Sequence, residues 1–437
     1  MVFKVGLLGL GTVGTGTAKI LLDAARRHPL LKTLEIHRVG VRSLDKPRAV
    51  DLPEACLTTD LEAIVTDPDI DIVVEVIGGL EPARSLILEA IEDGKHVVTA
   101  NKAVISRYGN EIAEAAKKAG VYVLYEAAVG GGIPVIQPLQ QALGVNRIET
   151  VTGIINGTTN YILTRMESEG GDFAPILDDA QKLGYAEADP TADVDGLDAA
   201  DKIAILASIA FGGKIRREDV FTEGIRNVSA SDVEYAKTLG FVIKLLAIAK
   251  RNSSETGKPD TIQLRVHPTL VPLKHPLASV NDVNNAVLVE GDPIGQVMLY
   301  GPGAGEGPTA SAIVSDVMAI AATLHMESPA EEKLPNPLLS HAHSDYKTIS
   351  PMEELESRFY VRLMVKDQPG VIGHLGTIFG QHHLSLESIV QIGLQDNLAE
   401  LVVVTHEVTE GEFHKAIQVL KDSPDVDSIA SVLRVLG

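Results

Sequence analysis

The chain has 437 residues, too many for one ordinary hydrophobic core, so two or three domains are expected. Hydrophobic residues at 45% and charged residues at 22% give the balance of a soluble globular protein, and the net charge of -21 repels phosphate backbones, which argues against nucleic acid as a partner. A single cysteine, Cys56, leaves no intramolecular disulfide framework and fits a reducing, cytoplasmic compartment.

At the N-terminus the apolar run Val5–Val13 is broken by glycines and reads as strand and loop, not as a signal peptide. No uncharged apolar run reaches the roughly 18 residues of a membrane span, so no membrane partner is expected. Phe3–Leu8, Leu34–Val41, Ile72–Ile77, His96–Thr99 and Val121–Tyr125 suit buried strands. Between them, Pro82–Asp93 and Val104–Ala119 are amphipathic and are closed by Gly94 and Gly120. This alternation predicts an α/β domain over 1–130, a doubly wound parallel sheet with helices on both faces. A break at Gly130-Gly131-Gly132 opens an α+β substrate and dimerisation domain over 131–300. It holds a strand at Ile148–Ile155, an acidic segment (Asp178–Asp201), a helix (Lys202–Phe211) and strands near 261–271 and 286–290. A helix (Thr309–Leu324) then returns over 301–325 to the first domain. Residues 326–354 read as a linker, and 355–437 as a compact βαββαβ unit.

Gly9-Leu10-Gly11-Thr12-Val13-Gly14 is a G-x-G-x-x-G that follows a predicted strand and opens a predicted helix, the context of a Rossmann-type dinucleotide loop. The helix N-terminus there offers free N–H donors to a pyrophosphate. The second strand should end on an acid if ribose hydroxyls are bound, but it reads Val41-Arg42-Ser43. A cation suits a 2′-phosphate, hence NADP over NAD; a solvated arginine at a strand end is the competing reading.

Eight carboxylates lie between Asp178 and Asp201: Asp178, Asp179, Glu187, Asp189, Asp193, Asp195, Asp198 and Asp201. Most such runs are solvated loops. Here Gly184, Tyr185, Pro190 and Gly196 impose turns, and Asp198 and Lys202 share a helical face that becomes apolar at Ile205 and Ile209. A surface pair there would contribute only about 0.2–0.5 kcal/mol, so stability gives little reason for it. No EF-hand spacing is present, which sets calcium aside. A site for a cationic small molecule beside a proton-donating lysine remains. A second lysine, in Thr99-Ala100-Asn101-Lys102, follows the fourth strand at the edge where parallel sheets bind ligands; on position alone a surface lysine is as good a reading.

Taken together, Gly9–Gly14, Thr99–Lys102, Glu126–Pro134, Asn156–Tyr161, Gly184–Pro190, Asp193–Lys202 and Gly303–Gly305 with Pro308–Ala312 resemble the homoserine dehydrogenase family over residues 1 to about 325. The resemblance implies NAD(P)-dependent interconversion of L-homoserine and L-aspartate 4-semialdehyde in threonine, methionine and isoleucine biosynthesis. It makes Lys202 the proton donor or acceptor at the substrate oxygen and puts Lys102 between nicotinamide and substrate. Glu187, Asp193 and Asp198, with Asn156, Gly157, Thr158 and Tyr185, would bind the substrate. Thr99, Ala100, Lys102 and Gly305 would join the glycine loop in binding the cofactor. An amino-acid alcohol does present a cation for carboxylates to receive. A free lysine, with a pKa near ~10.4, suits the acid role in the reducing direction; a base role needs that value lowered. By the same resemblance Glu126, Val129, Gly131 and Ile133 match a monovalent-cation (Na+) site built largely from backbone carbonyls.

In the last domain, Val365–Val371, Leu384–Ile389 and Gln391 resemble an ACT module, a ferredoxin-like regulatory fold. That resemblance implies pairing into a homodimer or homotetramer and binding of L-threonine as feedback inhibitor, with Asp367, Gly370 and Gln391 at the effector. A module that merely aids dimerisation is the other reading. Two rival functions would place different demands on the chain. Aspartate-semialdehyde dehydrogenase needs a thiolate nucleophile, and Cys56 lies ahead of the third strand with no histidine nearby in sequence. A non-catalytic nucleotide and amino-acid sensor would not need Lys102 and Lys202.

Overall fold

The computed structural model describes residues 2–253, 259–326, 346–395 and 398–436. The chain begins with β1 (Phe3–Leu8), α1 (Thr12–Leu22), β2 (Leu34–Gly40), β3 (Leu57–Thr58), α2 (Glu62–Val65), β4 (Ile72–Glu75), α3 (Ala83–Glu92), β5 (His96–Thr99), α4 (Lys102–Ala119) and β6 (Val123–Leu124). It continues through α5 (Ile136–Gln140), β7 (Arg147–Ile154), α6 (Gly157–Glu169), α7 (Phe173–Lys182), α8 (Thr191–Val194), α9 (Leu197–Phe211), β8 (Phe221–Thr222), α10 (Ala230–Thr238), β9 (Phe241–Asn252) and β10 (Thr261–Pro272). Then come β11 (Asn284–Asp292), β12 (Gly295–Pro302), α11 (Glu306–Met326), β13 (Glu356–Lys366), α12 (Val371–Gln381), β14 (Leu386–Gln395), β15 (Leu398–Thr405), β16 (Val408–Thr409), α13 (Glu410–Lys421) and β17 (Val426–Val435). Most of the expected linker, 327–345, lies outside the described residues.

The chain forms two compact units, Met1–Ile155 with Asp201–Asp219 and Asn284–Lys347, and Asn156–Ala200 with Val220–Val283 and Thr348–Gly437. In the first, six parallel strands run in the order β3-β2-β1-β4-β5-β6, the doubly wound sheet the alternation predicts. Asn101 caps α4 by accepting from the Val104 N–H at 3.2 Å, and Gly120 ends it in a left-handed turn. Among the described residues only α11 has the length and hydropathy to cross a membrane. It lies in the core instead, with Ile313, Val317 and Ile320 packed among Val5, Leu7 and Ile72. β11 joins β7 and β12 in an antiparallel ladder.

In the second unit β9 and β10 pair antiparallel over their whole length. The order β17-β13-β15-β14, with α12 and α13, is the ferredoxin-like βαββαβ arrangement read from 355–437. Its core joins Phe359, Leu363, Leu375, Phe379, Leu401 and Phe413. The outer strand of the module, β17, also pairs in parallel with β10, Thr269 opposite Arg434, so the module and β10 share hydrogen bonds.

Candidate active site

In the glycine loop, Gly9 takes φ 110°, where a Cβ would meet the Val76 carbonyl at 3.0 Å, and a Cβ on Gly14 would strike the Gly9 carbonyl at 2.2 Å. Gly11 differs. It caps α1 with no side-chain cap, and nothing lies within 4 Å of where its Cβ would project. The first-turn N–H groups therefore open onto a cradle that a phosphate fits. Leu10, Thr12 and Val13 complete that loop. Gly9 N–H donates to the Gly40 carbonyl at 3.1 Å, so Arg42, exposed just past β2, leaves the sheet close to the loop.

At the same sheet edge β4 ends on the fully buried Glu75. Its carboxylate accepts from the N–H groups of Ile77 (3.0 Å) and Gly78 (3.2 Å) and from the Thr99 hydroxyl (2.5 Å). Burial raises its pKa, against the pull of those hydrogen bonds. Asn101 donates to the Gly79 carbonyl at 2.7 Å. These ties join the ends of β4 and β5, pass through Thr99 and Ala100, and set where Lys102 begins α4.

Lys202 is buried, 8% exposed, and its Nζ donates to the Ile155 carbonyl at 2.7 Å. Beside it Asp201 accepts from the Ser106 hydroxyl at 2.9 Å, with Arg107 and Arg217 at 3.8 and 3.7 Å. Ser106 lies one turn beyond Lys102, so Asp201 fixes α4 against α9 and with them both lysines. α9 itself starts at Leu197, five residues earlier than the expected Lys202, which puts Asp198 in its first turn.

In the second unit Asn156 is the organiser. Its Oδ1 caps α6 by accepting from the Thr159 N–H at 2.9 Å and hydroxyl at 2.8 Å. Its Nδ2 donates to Asp193 at 2.7 Å and to Asp198 at 2.9 Å, so one amide gathers two carboxylates. Gly157 opens α6, and the Thr158 hydroxyl donates to the Tyr185 carbonyl at 2.7 Å, with the Tyr185 ring 4.8 Å from Tyr161. Glu187 stands outside this hydrogen-bonded set, exposed between α7 and α8.

Back in the first unit, the Glu126 carboxylate accepts from the N–H groups of Val135 (2.5 Å), Ile136 (2.7 Å) and Gln137 (2.6 Å), which open α5. Its own N–H donates to Asp316 at 2.7 Å. Burial, and then the nearby Glu126 charge, push Asp316 up to about 8. With its carboxylate so engaged, Glu126 could offer an ion its carbonyl, alongside Val129, Gly131 and Ile133. Gly131 packs on the Gly303 carbonyl, two residues before Gly305. In the last domain Gly370 caps α12, Asp367 is exposed in the loop before it, and Gln391 is exposed on β14.

Sequence reasoning missed Glu75, Asp316 and Lys244 and gave Asp201 no role of its own. Lys244, fully buried in β9, donates to the Val280 carbonyl at 2.6 Å, to Asn281 at 3.0 Å and to Asn160 at 3.3 Å. The available signal was one charge inside an otherwise apolar run, at Ile72–Ile77, Thr309–Leu324 and Phe241–Ala249 alike.

Comparison with known proteins gives a consistent picture. The homoserine dehydrogenase NAD-binding domain matches residues 9–126, the homoserine dehydrogenase domain residues 134–318, and the ACT domain residues 359–425. The homoserine dehydrogenase of Synechocystis sp. is 64% identical over 437 residues, covering 100% of both chains. That of Corynebacterium glutamicum is 44% identical, covering 99% of this chain and 95% of its own. Among solved structures, a homoserine dehydrogenase from Thiobacillus denitrificans superposes with a TM-score of 0.90 at 42% identity, covering 100% of this chain and 98% of that one. A hyperthermophilic archaeal homoserine dehydrogenase in complex with NADPH gives 0.61 at 27% identity, covering 75% of this chain and 99% of that one.

Proposed function

The chain belongs to the homoserine dehydrogenase family, oxidoreductases acting on a CH–OH group with NAD(P), and we propose that it interconverts L-homoserine and L-aspartate 4-semialdehyde in threonine, methionine and isoleucine biosynthesis, using NADP in preference to NAD. One observation carries the assignment of roles: Asn156 holds Asp193 and Asp198 together, and Lys202 follows Asp198 by one turn of α9. Homoserine brings one ammonium group and one hydroxyl. The paired carboxylates, with Glu187 from the neighbouring stretch, receive the ammonium through charge-assisted hydrogen bonds. Lys202 gives a proton to the substrate oxygen in reduction and takes the hydroxyl proton in oxidation. Lys102 supports that transfer from the edge of the parallel sheet. The nicotinamide, when bound, supplies or accepts the hydride.

The open cradle at Gly11 takes the pyrophosphate, and Arg42 the 2′-phosphate; the archaeal relative bound to NADPH supports the same preference. Carbonyls of Glu126, Val129, Gly131 and Ile133 are assigned to a sodium ion on the family resemblance. The ACT module takes L-threonine near Asp367, Gly370 and Gln391. Ile389, Val390 and Leu394, exposed on β14, supply an apolar edge through which copies pair as a homodimer or homotetramer. We place the enzyme in the reducing cytoplasm, with Cys56 a thiol. A steady-state assay with homoserine and each dinucleotide tests the cofactor reading. kcat/KM should favour NADP, and Arg42→Ala should weaken NADP more than NAD; equal loss for both would reject the 2′-phosphate role.

A further inference from the structure

We infer that residues 222–226 form a strap that positions the substrate carboxylates, and that Arg434, near the end of the ACT module, holds the strap in place. The inference rests on the reading of Asp193 and Asp198 as the ammonium site. The strap leaves β8, and the Glu223 N–H donates to the Val266 carbonyl of β10 at 2.8 Å. Gly224 comes next, against the turn that carries Asp193. A Cβ on Gly224 would lie 2.2 Å from the Val194 carbonyl and 2.5 Å from the Asp195 Cα. Both obstacles are backbone, so the turn itself would have to move. The Ile225 N–H donates to the same Val194 carbonyl at 2.8 Å, and Arg226 pairs with Asp195. From the other side Gly196, at φ 80°, sits 3.1 Å from Thr222 and Val266 as measured from its Cβ position. The Asp193–Gly196 turn is therefore held against the strap through Thr222, Gly224, Ile225 and Arg226.

What fixes the strap is Arg434 on β17. Its guanidinium grips the buried Glu410 with two parallel hydrogen bonds, Nε to Oε1 at 2.7 Å and Nη2 to Oε2 at 2.9 Å. The remaining Nη1 reaches Glu223 at 2.7 Å, and the guanidinium carbon lies 5.1 Å from the Phe221 ring. The fork is rigid, so once Glu410 is engaged the direction of Nη1 is set, and with it the place of Glu223. Arg434 and Glu223 are thus positioning residues for the reaction, and the last strand of the regulatory module belongs to the substrate-binding apparatus.

The test uses the full chain, with kinetics for homoserine and NADPH binding followed by fluorescence. Gly224→Ala should raise KM for homoserine about tenfold or more, with kcat falling less and the NADPH Kd unchanged. Glu223→Ala leaves the Arg434–Glu410 pair intact and should raise KM about threefold or more, while Glu223→Gln, which keeps an acceptor, should restore most of the loss. Asp193→Asn is measured alongside. If it raises KM while Glu223→Ala and a folded Gly224→Ala keep the parent value, the strap is refuted and the carboxylate reading stands. If Asp193→Asn leaves KM unchanged, the reading beneath the strap fails. Should Gly224→Ala not fold, the Glu223 pair decides.

Discussion

Asn156 does two separable things with one amide, capping α6 through its oxygen and gathering Asp193 and Asp198 through its nitrogen. Asn156→Asp keeps the capping oxygen, removes the donor and adds a third carboxylate to the pair. Stability should then change little on the cap's account, while KM for homoserine rises. Asn156→Ala should raise KM and also cost about 1 kcal/mol in denaturant unfolding, the usual worth of such a cap. Equal KM in both variants and the parent would break the link. Lys244 offers a pH test. Burial lowers its pKa to about 8 from the usual 10.5. Below 8 both folded and unfolded chains bind this proton; between 8 and 10.5 only the unfolded chain does. Its stabilising contribution is therefore complete above 10.5 and lost as pH falls toward 8. Relative to Lys244→Met, the parent should gain roughly 2–3 kcal/mol across that window. A parallel pair of curves would contradict the lowered pKa. Lys202, Asp193 and Asp198 stand out in sequence as candidates because they fall within one short acidic run. The bridging role of Asn156 does not, since its partners lie 37 and 42 residues away. Glu75 and Asp316 showed in sequence only as single charges in apolar runs, since the Thr99 hydroxyl and the Glu126 N–H that engage them come from other segments.

At the scale of elements, strands and helices of the parallel sheet were readable where glycine marks the helix ends, as at α3 and α4. β9 escaped, for a physical reason. It is buried almost throughout from Val242 to Ala249, so it shows no alternation, and an unbroken apolar run reads as helix or strand alike. The start of α9 was only half legible: the shared face of Asp198 and Lys202 points to helix, but the acidic run has no apolar onset to mark Leu197 as its first residue. Another link that sequence could not show joins α10 to the ACT sheet. Arg362 on β13 bonds the fully buried Asp232 at 3.0 Å and Glu400 at 2.9 Å, while Asp232 also forms a capping box with Ser229. Removing one partner strands a buried charge. Arg362→Leu should therefore lower unfolding free energy by roughly 3 kcal/mol. Loss under about 0.5 kcal/mol, the level of a surface pair, would show that the network contributes little.

At the scale of the molecule, the ACT module is built into the second unit. β17 pairs with β10, so cutting the chain after Pro351 would strip a strand from beside β10 as well as remove the ACT module. Point changes are the cleaner probe of regulation. Asp367→Ala or Gln391→Ala should weaken inhibition by threonine severalfold or more while kcat stays near the parent value; unchanged inhibition in both would move the effector site elsewhere. The wider architecture was legible in sequence because each domain carries a local signature, the glycine loop at one end and Val365–Val371 at the other. The seam at Arg434 was not, since it depends on how β17 meets β10. The central claim is that Lys202, one turn beyond a substrate carboxylate, carries the proton. Single-turnover and steady-state rates for Lys202→Ala, with NADPH binding measured on the same sample, test it most directly. kcat should fall by roughly 10²–10⁴ with the NADPH Kd unchanged, and near-normal turnover in that variant would contradict the assignment.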